Sequence, residues 1–152
     1  MRRVIRIIIK SSSGYFCNTP YEDKLVLSND KISYSLEYDQ RRSFLPEIEE
    51  EPVSIDDSWS HKYSIAEKVL VEEIFNYALN FKYLNNSISV LDGCGLHVIV
   101  KFDDGSKYET YDTYGGCVGP EYEEIFRLIQ LVSFLIPKNK QLPDYFQNKE
   151  NY

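Results

Sequence analysis

From Lys31 to Tyr38 the chain alternates residue by residue, with Ile32, Tyr34, Leu36 and Tyr38 on one side and Lys31, Ser33, Ser35 and Glu37 on the other. Side chains of a strand point in turn to its two faces, so this stretch predicts a strand with one face in a core and the other in water. The preceding run, Lys24 to Ser28, is joined to it by Asn29-Asp30. Both residues tolerate positive φ and suit a tight hairpin turn. A sheet that is wet on one side is antiparallel, and its apolar side needs a covering layer.

Further strands are predicted around this pair. Val4 to Lys10 is rich in β-branched residues and too short for a helix, which makes it a first strand in the middle of the sheet. Trp59 to Tyr63 alternates again and rejoins the sheet as an edge strand. The runs Ile88–Leu91, Leu96–Phe102 and Lys107–Tyr111 are separated by Asp92-Gly93-Cys94-Gly95 and Asp103-Asp104-Gly105-Ser106. Both joins are turn sequences, the second with the Asp-Gly pair that favours hairpins, so a three-stranded meander is expected.

The covering layer is predicted from helical spacing. Ser64-Ile65-Ala66-Glu67 has the pattern of a capping box and starts a helix. Its stripe is Ala66, Leu70, Ile74, Tyr77, Phe81 and Leu84, widened by Val71, Phe75, Ala78 and Leu79. One sheet face covers only a stripe, so Val71, Phe75 or Leu79 must meet a second helix or a second copy of the chain, and monomer and homodimer both stay open. Gly119-Pro120-Glu121 opens the second helix, whose buried side is Ile125, Leu128, Ile129, Val132, Leu135 and Ile136 and which Pro137 stops. The expected fold class is therefore α+β: a mainly antiparallel sheet of about six or seven strands with two helices packed on one face. We read residues 1–137 as one domain and 138–152 as a C-terminal tail. A chain of 152 residues buries roughly two-thirds of its unfolded surface, enough to fold without metal or disulfides.

Between Asp39 and Ser58 the alternation stops. Pro46, Pro52 and the acidic residues Glu47, Glu49, Glu50, Glu51, Asp56 and Asp57 predict a surface loop. The chain carries 17 Lys and Arg against 24 Asp and Glu, a formal charge of −7. That balance argues against free nucleic acid and against a membrane surface as partner, because affinity for phosphate rests on clustered Lys and Arg. The opening residues lack the unbroken apolar stretch and small-residue site of a signal peptide, which leads us to expect a cytoplasmic protein. Three cysteines at irregular spacing, Cys17, Cys94 and Cys117, fit reduced thiols. With 13 Tyr and 8 Phe against 7 Gly and 6 Pro, the codons lean towards AT, as in a low-GC bacterium or one of its phages.

The densest chemical cluster is Asp92-Gly93-Cys94-Gly95-Leu96-His97. A thiol nucleophile needs an imidazole to take its proton and a carboxylate to orient that imidazole, which makes Cys94, His97 and Asp92 the candidates for a small cysteine-dependent enzyme. The bland reading is a glycine-rich turn with a small buried Cys. Zinc on Cys94, His97 and Cys117, with Cys17 or His61 as fourth ligand, lacks the second closely spaced pair that makes such sites specific, so no metal and no cofactor are expected. The segment from Tyr114 to Glu121 lacks the Lys of a phosphate loop and reads as a loop ending in a helix cap. His61 reads as a surface histidine.

Tyrosines gather near carboxylates at Tyr108, Tyr111 and Tyr114, and tyrosine is enriched at protein interfaces. Strand faces filled with good strand formers are the plainer account. We read the chain as a protein-binding module that occupies a macromolecular partner, as inhibitors and immunity proteins do. The acidic loop and the three tyrosines are the candidate contacts, and a partner with a basic surface is the expected one.

Overall fold

The computed structural model describes residues 1–12, 21–38, 57–81, 95–113, 120–140 and 143. They form strands β1 (Val4–Ser12), β2 (Tyr21–Leu27), β3 (Lys31–Tyr38) and β4 (Asp57–Lys62), helix α1 (Ile65–Leu79), strands β5 (Gly95–Phe102) and β6 (Lys107–Thr113), and helix α2 (Pro120–Ser133). All six strands join one antiparallel sheet in the order β4-β3-β2-β1-β5-β6. The fold is α+β, and β1 lies inside the sheet as its β-branched composition predicts.

The alternation read in β3 runs through the whole sheet. Opposed residues of an antiparallel ladder share a face. Leu27 stands between Ile7 and Ile32, and Ile7 faces Val100 on β5, while Leu25 stands between Ile9 and Tyr34, and Ile9 faces Val98. These residues are buried, and they form one core cluster with Val71, Ile74, Phe75 and Ala78 of α1 and Ile125, Leu128 and Val132 of α2. Both helices therefore sit on this inner face.

The capping box at Ser64 is present. The Ser64 hydroxyl accepts from the Glu67 amide at 3.2 Å, and the Glu67 carboxylate accepts from the Ser64 amide at 3.0 Å. The buried stripe of α1 begins later than predicted: Ala66 is exposed, and the helix turns its inner side to the core from Val71 onward. Val71 and Phe75 are covered within the chain, where α1 packs on α2 and the Tyr77 hydroxyl donates to the Glu124 carbonyl at 3.2 Å. Among the described residues, Ile65, Val69 and Phe134 are the large apolar side chains of the helix region left exposed. Helix α2 ends at Ser133, before Pro137, and Leu135 and Ile136 are buried in a tighter turn whose amides bond back three residues.

The joins between strands answer these expectations unequally. The β2–β3 hairpin closes with the Ser28 amide donating to the Lys31 carbonyl at 3.0 Å, yet neither Asn29 nor Asp30 takes positive φ. The Ser28 hydroxyl, donating to Asp30 at 2.9 Å, holds this turn instead. Between β5 and β6, Gly105 has φ of 85° and the Phe102 amide bonds to the Ser106 carbonyl, so the hairpin has a three-residue loop closed by a glycine bulge. The neighbour of β5 away from β6 is β1. The segment Ile88–Leu91, expected there as part of a meander, lies outside the described residues. The acidic loop ends earlier than predicted, because Asp57 and Ser58 already pair with Leu36 and Ser35 in β4. Pro143, in the segment read as a tail, is buried.

Among the described residues one carboxylate lies in the core. Asp23 has the parity of Leu25 and Leu27, so it faces the helices and is 2% exposed. It accepts from the Ser11 amide at 3.2 Å, from the Ser11 hydroxyl, and from the Tyr34 hydroxyl at 3.1 Å. Asp23→Ala leaves these donors in apolar surroundings, at roughly 1–3 kcal/mol for each donor that stays unpaired. Urea unfolding checks this, and a loss below about 1 kcal/mol in total would show that the network is not structural. Tyr63 gives the opposite case. Its buried hydroxyl has no hydrogen-bond partner among the described residues, so Tyr63→Phe should leave the urea midpoint unchanged or raise it.

Candidate functional site

The opposite, outer face of the sheet carries neither helix. Its side chains come from the alternate positions of the same strands, and the ladder sorts them into rows that cross all six strands. One row reads Lys62, Lys31, Arg6, Lys101 and Lys107 from β4 to β6. Strand β2 ends at Leu27, just short of this row, and Ser28 stands in its place. Two residues along each strand come Ser60, Ser33, Val26, Ile8, Ile99 and Glu109, and then Ser58, Ser35, Lys24, Lys10 and His97, with Tyr111 at the register position beyond.

The outer face holds seven cations, Arg6, Lys10, Lys24, Lys31, Lys62, Lys101 and Lys107, against three carboxylates, Glu22, Glu37 and Glu109. Its net charge is thus +4 in a chain whose total is −7. Among the described residues only Lys107 of the seven has an ion-pair partner, Glu109 at 2.9 Å. Like charges directly opposite each other destabilise a ladder. Here they stand opposite at Lys31 and Lys62, Lys10 and Lys24, Arg6 and Lys101, and Lys101 and Lys107. Beside Lys24 and Val26 the small side chains of Ser33, Ser35, Ser58 and Ser60 leave a shallow open depression, reaching down to the edges of Tyr34 and Trp59.

His97 lies on this face next to Lys10. Its Nε2 is 2.8 Å from a carboxylate oxygen of Glu109, the diagonal neighbour on β6. Partial burial pulls the imidazole below its ordinary value of 6.5; the carboxylate of Glu109 opposes this, and Lys10 and Lys107 add to it. His97 is the one member of the predicted cysteine cluster within the described residues, since Asp92 and Cys94 lie outside them. The carboxylate it meets was not foreseen, although counting back from the Asp103–Ser106 turn sets His97 diagonal to Glu109.

The other candidates separate. Tyr108 lies on the inner face, where its ring meets Phe102 edge-on at 4.9 Å and Arg2 stacks over it at 4.8 Å. Tyr111 stands at the register position opposite His97. Tyr114, Glu47, Glu49, Glu50, Glu51 and Asp56 lie outside the described residues, and Asp57 opens β4. His61 cannot join His97 on one metal: it has the parity of inner-face Trp59 and lies on β4, four strands away from β5. It pairs with Glu67 at 2.9 Å, and burial of that carboxylate is outweighed by bonds from Ser64 and His61, which hold its pKa below the ordinary value. Among the described residues no three His, Cys, Asp or Glu side chains converge as metal ligands, and no helix is long and apolar enough to cross a membrane. Compared with known families, with curated proteins and with solved structures, the chain matches none.

The shifted imidazole makes a pH prediction. Just below pH 6.5 the unfolded chain binds a proton at His97 that the folded protein refuses, so stability present above 6.5 is lost as pH falls through this window. The carboxylates with lowered pKa, Glu67 and Glu109, lose their contributions only below about 4.5. His97→Gln should therefore flatten the urea midpoint just below pH 6.5. An unchanged slope there would remove His97 as the cause.

Proposed function

We propose that the protein is a binding module that acts by occupying a protein partner, in the manner of inhibitors and immunity proteins. The observation that carries this reading is the six-stranded outer face, free of both helices, whose ladder sets seven cations against three carboxylates, with Asp30 in the hairpin turn beside Lys31 and Lys62. A sheet stabilised for its own sake alternates the signs of its cross-strand neighbours. Repeated like-charge pairs make sense where an outside molecule supplies the opposite charge. The enzyme alternative needs Cys94, which lies outside the described residues, beside His97, with the Glu109 carboxylate as the orienting group.

Total charge alone leads to a basic partner, whereas the distribution of charge supports the opposite sign for whatever docks on this face. Immobilised protein should retain a protein from lysate of its own host, identified by mass spectrometry. Ser60→Trp places a bulky group on an exposed outer-face position and should release that protein while the melting temperature holds; Cys94→Ser should retain it. Loss of biological effect in Cys94→Ser, with Ser60→Trp fully active, would replace the binding reading by the catalytic one.

A further inference from the structure

We infer that the cationic row across the outer face, Lys62, Lys31, Arg6, Lys101 and Lys107, is a docking track for an acidic segment of a partner protein, laid across the strands. This rests on the binding reading above and names the chemistry of its partner.

Strands lie about 4.8 Å apart, so the row runs roughly 24 Å from β4 to β6. Five of its six places hold a cation, drawn from strands β4, β3, β1, β5 and β6. Residues so distant in sequence share a row only because the register aligns them. Lys10 and Lys24 form a second, shorter cationic row four residues further along the strands, about 13 Å away. The two rows bracket a middle one in which Glu109 is the sole charge. Carboxylates laid along the long row would remove the repulsion between its opposed cations, so the strain in the free face becomes differential affinity for an acidic ligand.

Shape and charge favour protein over nucleic acid. Sheets twist by roughly 20° per strand, so the row turns through on the order of 100° from β4 to β6. A flexible acidic segment follows such a turn, whereas duplex DNA is stiff over this length. Single strands gain affinity from stacking on aromatic rings, and the row itself is built of Lys and Arg. Beyond the face the chain is more acidic than its total of −7, which repels a dense polyanion at long range.

The test uses a fluorescein-labelled peptide of 15 residues rich in Glu, read by fluorescence anisotropy with the full chain. Binding should weaken as salt is raised. Lys31→Gln with Lys62→Gln should lower the affinity at least tenfold while the melting temperature holds or rises, because a like-charge pair has been relieved. Lys138→Gln with Lys140→Gln makes the same change in net charge at exposed positions beyond α2 and should leave the affinity within twofold. Equal losses in the two double variants would overturn the track. So would tighter binding of a single-stranded oligonucleotide of equal charge, or self-association of the protein that Lys31→Gln with Lys62→Gln abolishes. A host partner that Ser60→Trp releases but the Lys31 and Lys62 substitutions do not touch would overturn the track and leave the binding reading intact.

Discussion

Everything in this fold hangs on the register of β1. It is hydrogen-bonded along both edges, to β2 and to β5, and each ladder aligns Ile7 and Ile9 with core residues and Ile8 and Lys10 with outer ones. A slip by one residue on either side would exchange the faces and drive Lys10 and Arg6 beneath the helices. The cost of burying unpaired charge makes that alternative inaccessible. The same alignment that closes the core also assembles the outer rows, so the candidate binding surface is a by-product of core packing in its geometry, though not in its residue types.

Much of the architecture was legible locally. Alternation in β3, the Ser64–Glu67 capping box and the apolar positions of α2 each announce their element through short-range rules, and they agree with one another. Less legible were features that depend on which strands become neighbours. Nothing in the run Leu96 to Phe102 says that it pairs with Val4 to Ser12, and without that pairing Arg6 and Lys101 are two unrelated cations. Composition also hides a distribution: beside a total of −7, the ladder concentrates positive charge on one side. Asp23 was missed although its parity with Leu25 and Leu27 was readable, because an acidic residue near a strand end is ordinarily given to solvent.

The inner and outer faces solve their electrostatic problems differently. Inside, Asp23 accepts from two hydroxyls and an amide, donors of its own chain. Outside, one carboxylate, Glu109, serves both His97 and Lys107, and the remaining cations stand without such partners among the described residues. Closed polar networks hold a core in one arrangement. Open ones keep their field available.

The position of β1 also shapes the order in which the molecule assembles. Strands β1 to β4 are consecutive in sequence and pair as successive neighbours, so they can zip together as soon as they leave the ribosome. The far edge of β1 stays unpaired until β5 arrives, with Ile8 and Ile99 about 90 residues apart, and such distant closures are the slow ones. During that interval the nascent chain presents a long hydrophobic edge, the kind of surface on which other chains add as strands. Arg6 and Lys10 flank that edge and keep it charged while it waits.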